Sequence, residues 1–211
     1  MVDFSLYLIT DRMQTAGRML PAVVADALRG GLQAVQLREK DLAAAQLLEI
    51  AVELRQLTRI CGAKLLINDR IDVALAAGAD GVHLGKGGLP VREARRMLGS
   101  KWLIGYSAHS ADEALQAQLD GVDFVTLGPV YHTPSKAQYG EPLGLSALSE
   151  AVRLVTIPVF ALGGVRPASV AEVLSGGAHG VALISAIMAA PNPRVETESL
   201  LRTIAHHALA C

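Results

Sequence analysis

Eight short apolar runs, spaced roughly 25 residues apart, set the strongest limit on how this chain can fold. They lie at 6–10, 34–37, 64–67, 81–84, 103–106, 124–127, 158–161 and 180–184. That spacing leaves room for a helix after each strand, which a parallel strand connection requires. The intervening segments carry helical signals. Leu47, Leu48, Ile50, Ala51 and Leu54 fall at helical spacing within 42–57. Ser110-Ala-Asp-Glu113 reads as a capping box, with Ser110 at the N-cap and Glu113 at N3. Pro90 and Pro167 sit where first helical turns are expected, and there a missing N–H costs little. Glycines within 78–81, 120–123 and 176–180 read as helix stops leading into the next strand. Eight such units in 211 residues predict an α/β fold, a (β/α)8 TIM barrel of the smaller kind, as one domain over 1–211. The rival, a doubly wound open sheet, requires one or two of these runs not to be strands.

Composition narrows the function. Hydrophobic residues make up 51% and charged residues 18%, which excludes a disordered chain. A net charge of -1 provides no global basic field for nucleic acid, so anion binding must come from a local cluster. No apolar stretch reaches the ~18 residues of a membrane span, and no opening segment reads as a signal peptide. Cys61 and Cys211 lack metal-ligand spacing and read as free thiols. A cytoplasmic protein is the expectation.

The chemistry is expected where the apolar runs turn polar at their C-terminal ends, since that end of a barrel carries the active site. Gln36, Arg38 and Lys40 alternate along one side of the second strand and can share one mouth. Arg38 offers a planar fork for phosphate oxygens and Lys40 a compact charge. The plainer reading makes them a surface ion-pair patch with Glu39. Asn68-Asp69 ends the third strand, and Asp69 is a hard oxygen ligand suited to Mg2+. The plainer reading makes either residue a helix cap. Ser107 and His109 follow the fifth strand. Ser107 can donate to a phosphate, while His109 either bonds a substrate or braces a loop. His83, inside the fourth strand, reads first as a structural histidine. Tyr131, His132, Thr133, Ser135 and Lys136 suit an anion-binding flap after the sixth strand. Gly163-Gly164 and Ile184-Ser185 follow the seventh and eighth strands, where barrels commonly bind phosphate through backbone N–H groups. The residues alone therefore indicate two anion sites, one cationic with a candidate metal and one neutral. They fit a transferase, lyase or isomerase acting on phosphorylated small molecules.

Taken together, Tyr7-Leu-Ile-Thr-Asp11, Gln36-Leu-Arg-Glu-Lys40, Ile67-Asn-Asp69, Gly81-Val-His-Leu-Gly85, Ser107-Ala-His109, Gly128-Pro-Val, Thr133-Pro-Ser-Lys136, Gly163-Gly164 and Ile184-Ser-Ala-Ile187 resemble the thiamine phosphate synthase family, including its TenI-like branch. The resemblance implies a TIM barrel that joins hydroxymethylpyrimidine diphosphate to a thiazole phosphate, releasing diphosphate. It implies that Gln36, Arg38, Lys40, Asn68, Ser107 and Lys136 hold the pyrimidine diphosphate and that Asp69 binds Mg2+. Thr133 and Ser135 would face the substrates, and Gly164, Ile184 and Ser185 would hold the thiazole phosphate. One departure stands out. Lys86-Gly87-Gly88 occupies the stretch where family synthases carry Gln, a variable residue and a second metal-binding Asp. Either Asp69, water and diphosphate suffice for the metal, with Lys86 replacing some of its charge, or the chain is TenI-like. The second alternative is a thiazole tautomerase, needing an acid/base such as His132 or His109, or a silent thiazole or thiamine phosphate-binding barrel. The retained Arg38, Lys40, Asn68, Asp69 and Lys136 favour the synthase. The sequence leaves the oligomeric state open; exposed helices on a small barrel often pair into homodimers.

Overall fold

The computed structural model describes residues 2–133 and 141–210. Its eight strands are β1 (Leu6–Ile9), β2 (Ala34–Leu37), β3 (Lys64–Asn68), β4 (Gly81–Leu84), β5 (Leu103–Ala108), β6 (Phe124–Leu127), β7 (Val159–Leu162) and β8 (Gly180–Leu183). All pair in parallel, in chain order, and the sheet closes on itself. Tyr7 shows the closure directly, lying opposite Ala34 of β2 on one side and Ala182 of β8 on the other. The open-sheet alternative is thereby excluded. Every run expected from sequence is a strand. The largest difference is β5, which continues to Ala108 because Ser107 and Ala108 pair with Thr126 and Leu127 of β6.

Helices α1 (Leu20–Arg29), α2 (Ala44–Cys61), α3 (Ile71–Ala77), α4 (Val91–Leu98), α5 (Ala111–Asp120), α6 (Gly144–Leu154) and α7 (Val170–Ser175) follow the strands in turn. A short α8 (Ser185–Met188) and a long α9 (Pro193–Ala210) complete the described chain. Helix α2 outruns the expected 42–57 and stops where Gly62 takes a left-handed φ of 67°. Ser110 does cap α5, accepting from the Glu113 N–H at 3.1 Å. The Glu113 carboxylate reaches back to the N–H of His109 at 2.8 Å, one residue beyond the expected capping box.

Two cores result. Valines, leucines and alanines fill the layer between the barrel and its helices. Inside the barrel, toward the N-terminal ends of the strands, Phe4, Tyr7, Phe124 and Phe160 form an aromatic plug. Its ring centroids lie 5.5 Å apart for Phe4–Phe124 and Phe124–Phe160 and 5.3 Å apart for Phe4–Phe160. Burying each ring contributes on the order of 1.5–3 kcal/mol. The opposite end of the barrel interior is polar, with buried Gln36, His83 and Thr126. This asymmetry puts an open, wettable mouth at the C-terminal strand ends. Below, the strand starts are pinned twice by one device. Asp80 accepts from the Leu65 N–H at 2.8 Å and from Arg55 of α2 at 2.7 Å. Asp123 likewise accepts from the Ile104 N–H at 2.7 Å and from Arg95 of α4 at 2.6 Å.

Candidate active site

A cavity of about 960 Å³ opens at the C-terminal mouth of the barrel, and the ends of all eight strands contribute to its lining. Gln36, Arg38 and Lys40 enter from β2, Asn68 and Asp69 from β3, and Lys86 from the loop after β4. Ser107 and His109 come from β5, His132 and Thr133 from the loop after β6, Gly164 from β7, and Ile184 and Ser185 from β8. The structure thus brings these sequence-named residues around one space. Ser135 and Lys136, and the Cys211 thiol, lie outside the described residues.

The cationic wall is free to meet a ligand. Glu39 is buried and already occupied. It accepts from the Thr10 hydroxyl at 2.7 Å and from the Arg12 N–H, and it pairs with the Arg12 guanidinium at 3.3 Å. Arg12 also pairs with Asp41, and that contact pulls the Asp41 carboxyl down to about 2. The ion-pair patch expected on the plainer reading exists, but it uses Arg12 in place of Arg38 and Lys40. Among the described residues, Arg38, Lys40 and Lys86 make no ion pair. Thr10 adds a second anchor by accepting the Arg38 N–H at 2.9 Å, so the backbone that carries Arg38 is fixed while its side chain is not.

Asp69 is held in an unusual backbone state, φ +57°, which Asp tolerates better than most residues. Its N–H bonds the carbonyl of His83 at 2.9 Å, so it bridges the ends of β3 and β4. Its carboxylate accepts from Asn68 Nδ2 at 2.8 Å and from the Gly85 N–H at 3.2 Å. It does not cap α3, whose N-cap is Arg70. Two bonds leave carboxylate lone pairs available for a cation. Gly88 is where a second carboxylate was expected, and it faces this group: a Cβ there would lie 2.6 Å from Asp69 Oδ1. Among the described residues no three His, Cys, Asp or Glu side chains cluster as a metal site. Of the other acids in the lining, Asp11 accepts from the Met13 N–H and Gln14, and Glu39 is occupied as above. Among the described lining acids, Glu39 is thus tied to a structural cation, whereas Asp11 and Asp69 are not; of these two, Asp69 is the one held across the ends of β3 and β4.

Beneath the cavity floor runs a buried polar chain. Gln36 Nε2 donates to Tyr7 Oη at 3.1 Å, Tyr7 Oη lies 3.4 Å from His83 Nδ1, and His83 Nε2 lies 3.0 Å from Ser107 Oγ. Thr126 Oγ1 is 3.5 Å from the same Nε2. Burial, aided by the positive charge of Arg38, pushes the His83 pKa down to about 3, so the ring is neutral. Burial also raises the Tyr7 phenol well above its ordinary value. His109 braces a loop: its Nδ1 sits 2.6 Å from the Gly128 carbonyl, at the cavity's edge.

The far wall is built by close backbone packing. Gly163 and Gly164 have φ of +89° and +67°, and a Cβ on Gly164 would meet Tyr131 and the His132 carbonyl at 2.7 Å. Only glycine lets the loop after β7 press against the loop after β6 in this way. Tyr131 then reaches Glu172 of α7 at 2.6 Å, and burial with this carboxylate pushes its phenol up to about 12. Arg166 also lines the cavity beside this turn, where the sequence had suggested only backbone N–H groups. Arg166, Gln14 and Thr126 were not singled out from sequence. Thr126 had a readable signal, a lone hydroxyl within an apolar run. Arg166 follows a glycine pair and looks like ordinary loop charge.

Comparison with known proteins agrees with this geometry. Residues 6–187 match the family model described as thiamine monophosphate synthase. A Geobacter sulfurreducens protein, provisionally named a thiamine-phosphate synthase, is 60% identical over 95% of this chain and 94% of its own. The Chloroflexus aurantiacus thiamine-phosphate synthase is 47% identical over 90% of this chain and 87% of its own. The solved thiamine phosphate pyrophosphorylase from Pyrococcus furiosus superimposes with a TM-score of 0.89 at 38% identity, covering 96% of both chains.

Proposed function

The chain belongs to the thiamine monophosphate synthase family, and from that premise we infer that it is a transferase coupling hydroxymethylpyrimidine diphosphate with thiazole phosphate. The products are thiamine phosphate and diphosphate. The observation that carries the site assignment is the cavity's charge pattern: Arg38, Lys40 and Lys86 without ion pairs among the described residues, around the Asp69 carboxylate at the ends of β3 and β4. Such a wall suits a diphosphate and its metal better than a neutral ligand.

In this reading Arg38 and Lys40 grip the diphosphate together with Lys136. Gln36, Asn68 and Ser107 orient the pyrimidine diphosphate from the floor. The bond from the pyrimidine's exocyclic carbon to the diphosphate oxygen breaks, and its electron pair leaves with the diphosphate. Cationic side chains stabilise the charge growing on that leaving group. The thiazole nitrogen supplies the electron pair for the new carbon–nitrogen bond. Gly164, Ile184 and Ser185 hold its phosphate, Arg166 adds charge there, and Thr133 and Ser135 face the substrates. Holding the two rings in contact removes much of the entropic barrier. No covalent enzyme nucleophile is required.

Asp69 would hold Mg2+ together with diphosphate oxygens and water, an arrangement usual for this ion with one or two carboxylates. Bound there, Mg2+ would supply electrostatic stabilisation of the departing diphosphate. Lys86 would contribute charge on the side where Gly88 has none. His109 Nδ1 bonds the Gly128 carbonyl, which supports a bracing role for this residue.

The direct check is thiamine phosphate formation by purified variants. Arg38→Ala and Lys136→Ala should each lower coupling at least a hundredfold, as expected for losing a charge-assisted contact to the leaving group. Wild-type rates in either variant would remove the diphosphate from this wall.

A further inference from the structure

We propose that His83 is a positioning residue that fixes the direction of the Ser107 hydroxyl, so that the Ser107 proton is donated into the cavity. The argument is one of proton counting along the buried chain. Tyr7 Oη accepts from Gln36 Nε2 at 3.1 Å, and the phenol has one proton of its own. His83 Nδ1, at 3.4 Å, is the acceptor within its reach among the described residues. Turned elsewhere, that proton would be a buried donor without a partner, in a residue with no exposed surface. Nδ1 of the neutral ring is then unprotonated, and the ring proton sits on Nε2.

Nε2–H has Ser107 Oγ at 3.0 Å and Thr126 Oγ1 only at 3.5 Å, so Ser107 is the better acceptor. A serine oxygen that accepts from below keeps its own proton for another partner. Ser107 lines the cavity, and an anionic oxygen there is the partner that uses such a donor best. The opposite arrangement is chemically distinct. With the Gln36 amide turned over, Tyr7 donates to Gln36 and His83 carries its proton on Nδ1. Ser107 then gives its proton to Nε2 and offers the cavity only lone pairs. The same atoms thus make either a donor or an acceptor at the floor, and Tyr7 and Gln36 select between them from beneath. The ligand's identity as diphosphate rests on the function proposed above; the proton order does not.

Two measurements on the full-length protein test this. In ¹⁵N-histidine-labelled protein, the His83 signals are identified by their loss in His83→Gln. The proton should be on Nε2, with Nδ1 at the shift of an unprotonated acceptor; a proton on Nδ1 overturns the proposal. The second is the Kd for inorganic diphosphate with Mg2+, by calorimetry, in wild type, Ser107→Ala, His83→Gln and the double variant. Each single change should weaken binding about tenfold to a hundredfold, and the double variant should be no weaker than Ser107→Ala. Losses that multiply would mean that His83 acts independently of Ser107, and the positioning role falls. If His83→Gln does not fold, Tyr7→Phe serves: it removes the donor to Nδ1, should mix the two ring tautomers, and should weaken diphosphate partially. An unchanged tautomer in Tyr7→Phe also overturns the proposal. Failure of wild type to bind diphosphate removes the assigned ligand of Ser107 and sinks the proposed function, and the ring tautomer alone then upholds or overturns the proton order. Diphosphate binding with the expected pattern, but without thiamine phosphate formation, upholds the relay and sinks only the coupling reaction.

Discussion

Asp69 concentrates the questions that single residues raise. Its left-handed backbone aims the carboxylate across the end of β4, where Gly85 and Asn68 hold it and Gly88 leaves room for it. Removing it by Asp69→Ala should abolish Mg2+-dependent coupling while leaving the fold intact. Coupling that survives the change would show that the metal is held by other groups. Gly88→Ala is a finer probe. Its Cβ would stand 2.6 Å from Asp69 Oδ1, so the carboxylate must shift. We expect the Mg2+ concentration for half-maximal activity to rise several-fold, with little change in melting temperature; an unchanged requirement would show that the carboxylate's present position is immaterial. His83 makes a pH prediction. Its folded pKa of about 3 lies below the ordinary value near 6.5, so the unfolded chain takes up a proton that the folded chain refuses. That stability is fully present above about pH 6.5 and is lost as pH falls toward 3, at no more than about 1.4 kcal/mol per pH unit. Urea unfolding at stepped pH should show a flatter profile for His83→Gln across that window, and parallel profiles would contradict it. The sequence identified Arg38, Lys40, Asn68 and Asp69 as candidates because strand ends turn polar there. It did not show that Glu39 belongs to Arg12, or that His83 meets Tyr7. Those contacts join residues far apart in the chain, and no local spacing encodes them.

Single elements were readable where their ends carry chemical punctuation. Gly78 and Gly121 stop α3 and α5 in left-handed conformations, and Ser110 starts α5. Helix α2 was misjudged at both ends: Ala43 and Ala44 bring no capping side chain to its start, and Gly62, which stops it, was not read as its stop. The Gly163-Gly164 turn was legible as a turn, but not as the surface on which the loop after β6 packs. There Gly164→Ala combines an unfavourable φ with a clash against Tyr131 and His132. It should cost about 1–3 kcal/mol in chemical denaturation and weaken thiazole phosphate binding at the same time. Loss of stability alone would detach that turn from the site. At the other end of the barrel, Asp80→Ala removes the bond to the Leu65 N–H and leaves Arg55, already largely buried, without its carboxylate. A loss of about 2–3 kcal/mol in urea unfolding is expected, with the coupling rate unchanged below the transition. A reduced coupling rate in the stable protein would contradict the separation of the two barrel ends.

The whole molecule divides its labour along the barrel axis. An aromatic plug and the aspartate-pinned strand starts occupy one end. Gln36, His83, Thr126 and the cation-lined cavity occupy the other. The closed order of eight strands was legible because the strand–helix rhythm repeats without interruption and a parallel strand needs a crossover to reach its neighbour. How the cavity's charges balance was not legible, since it depends on which acids are consumed by structural bonds. That balance is where this chain departs from a two-carboxylate metal site, and it is the crux of the functional account. The decisive measurement is therefore diphosphate release from hydroxymethylpyrimidine diphosphate and thiazole phosphate by the purified protein, with Mg2+ and with EDTA. The account predicts release that requires both the thiazole and Mg2+, with one thiamine phosphate formed for each diphosphate. Folded protein that binds both substrates yet releases no diphosphate in the presence of Mg2+ would contradict it, and would show that Asp69 without a carboxylate at Gly88 cannot support the reaction.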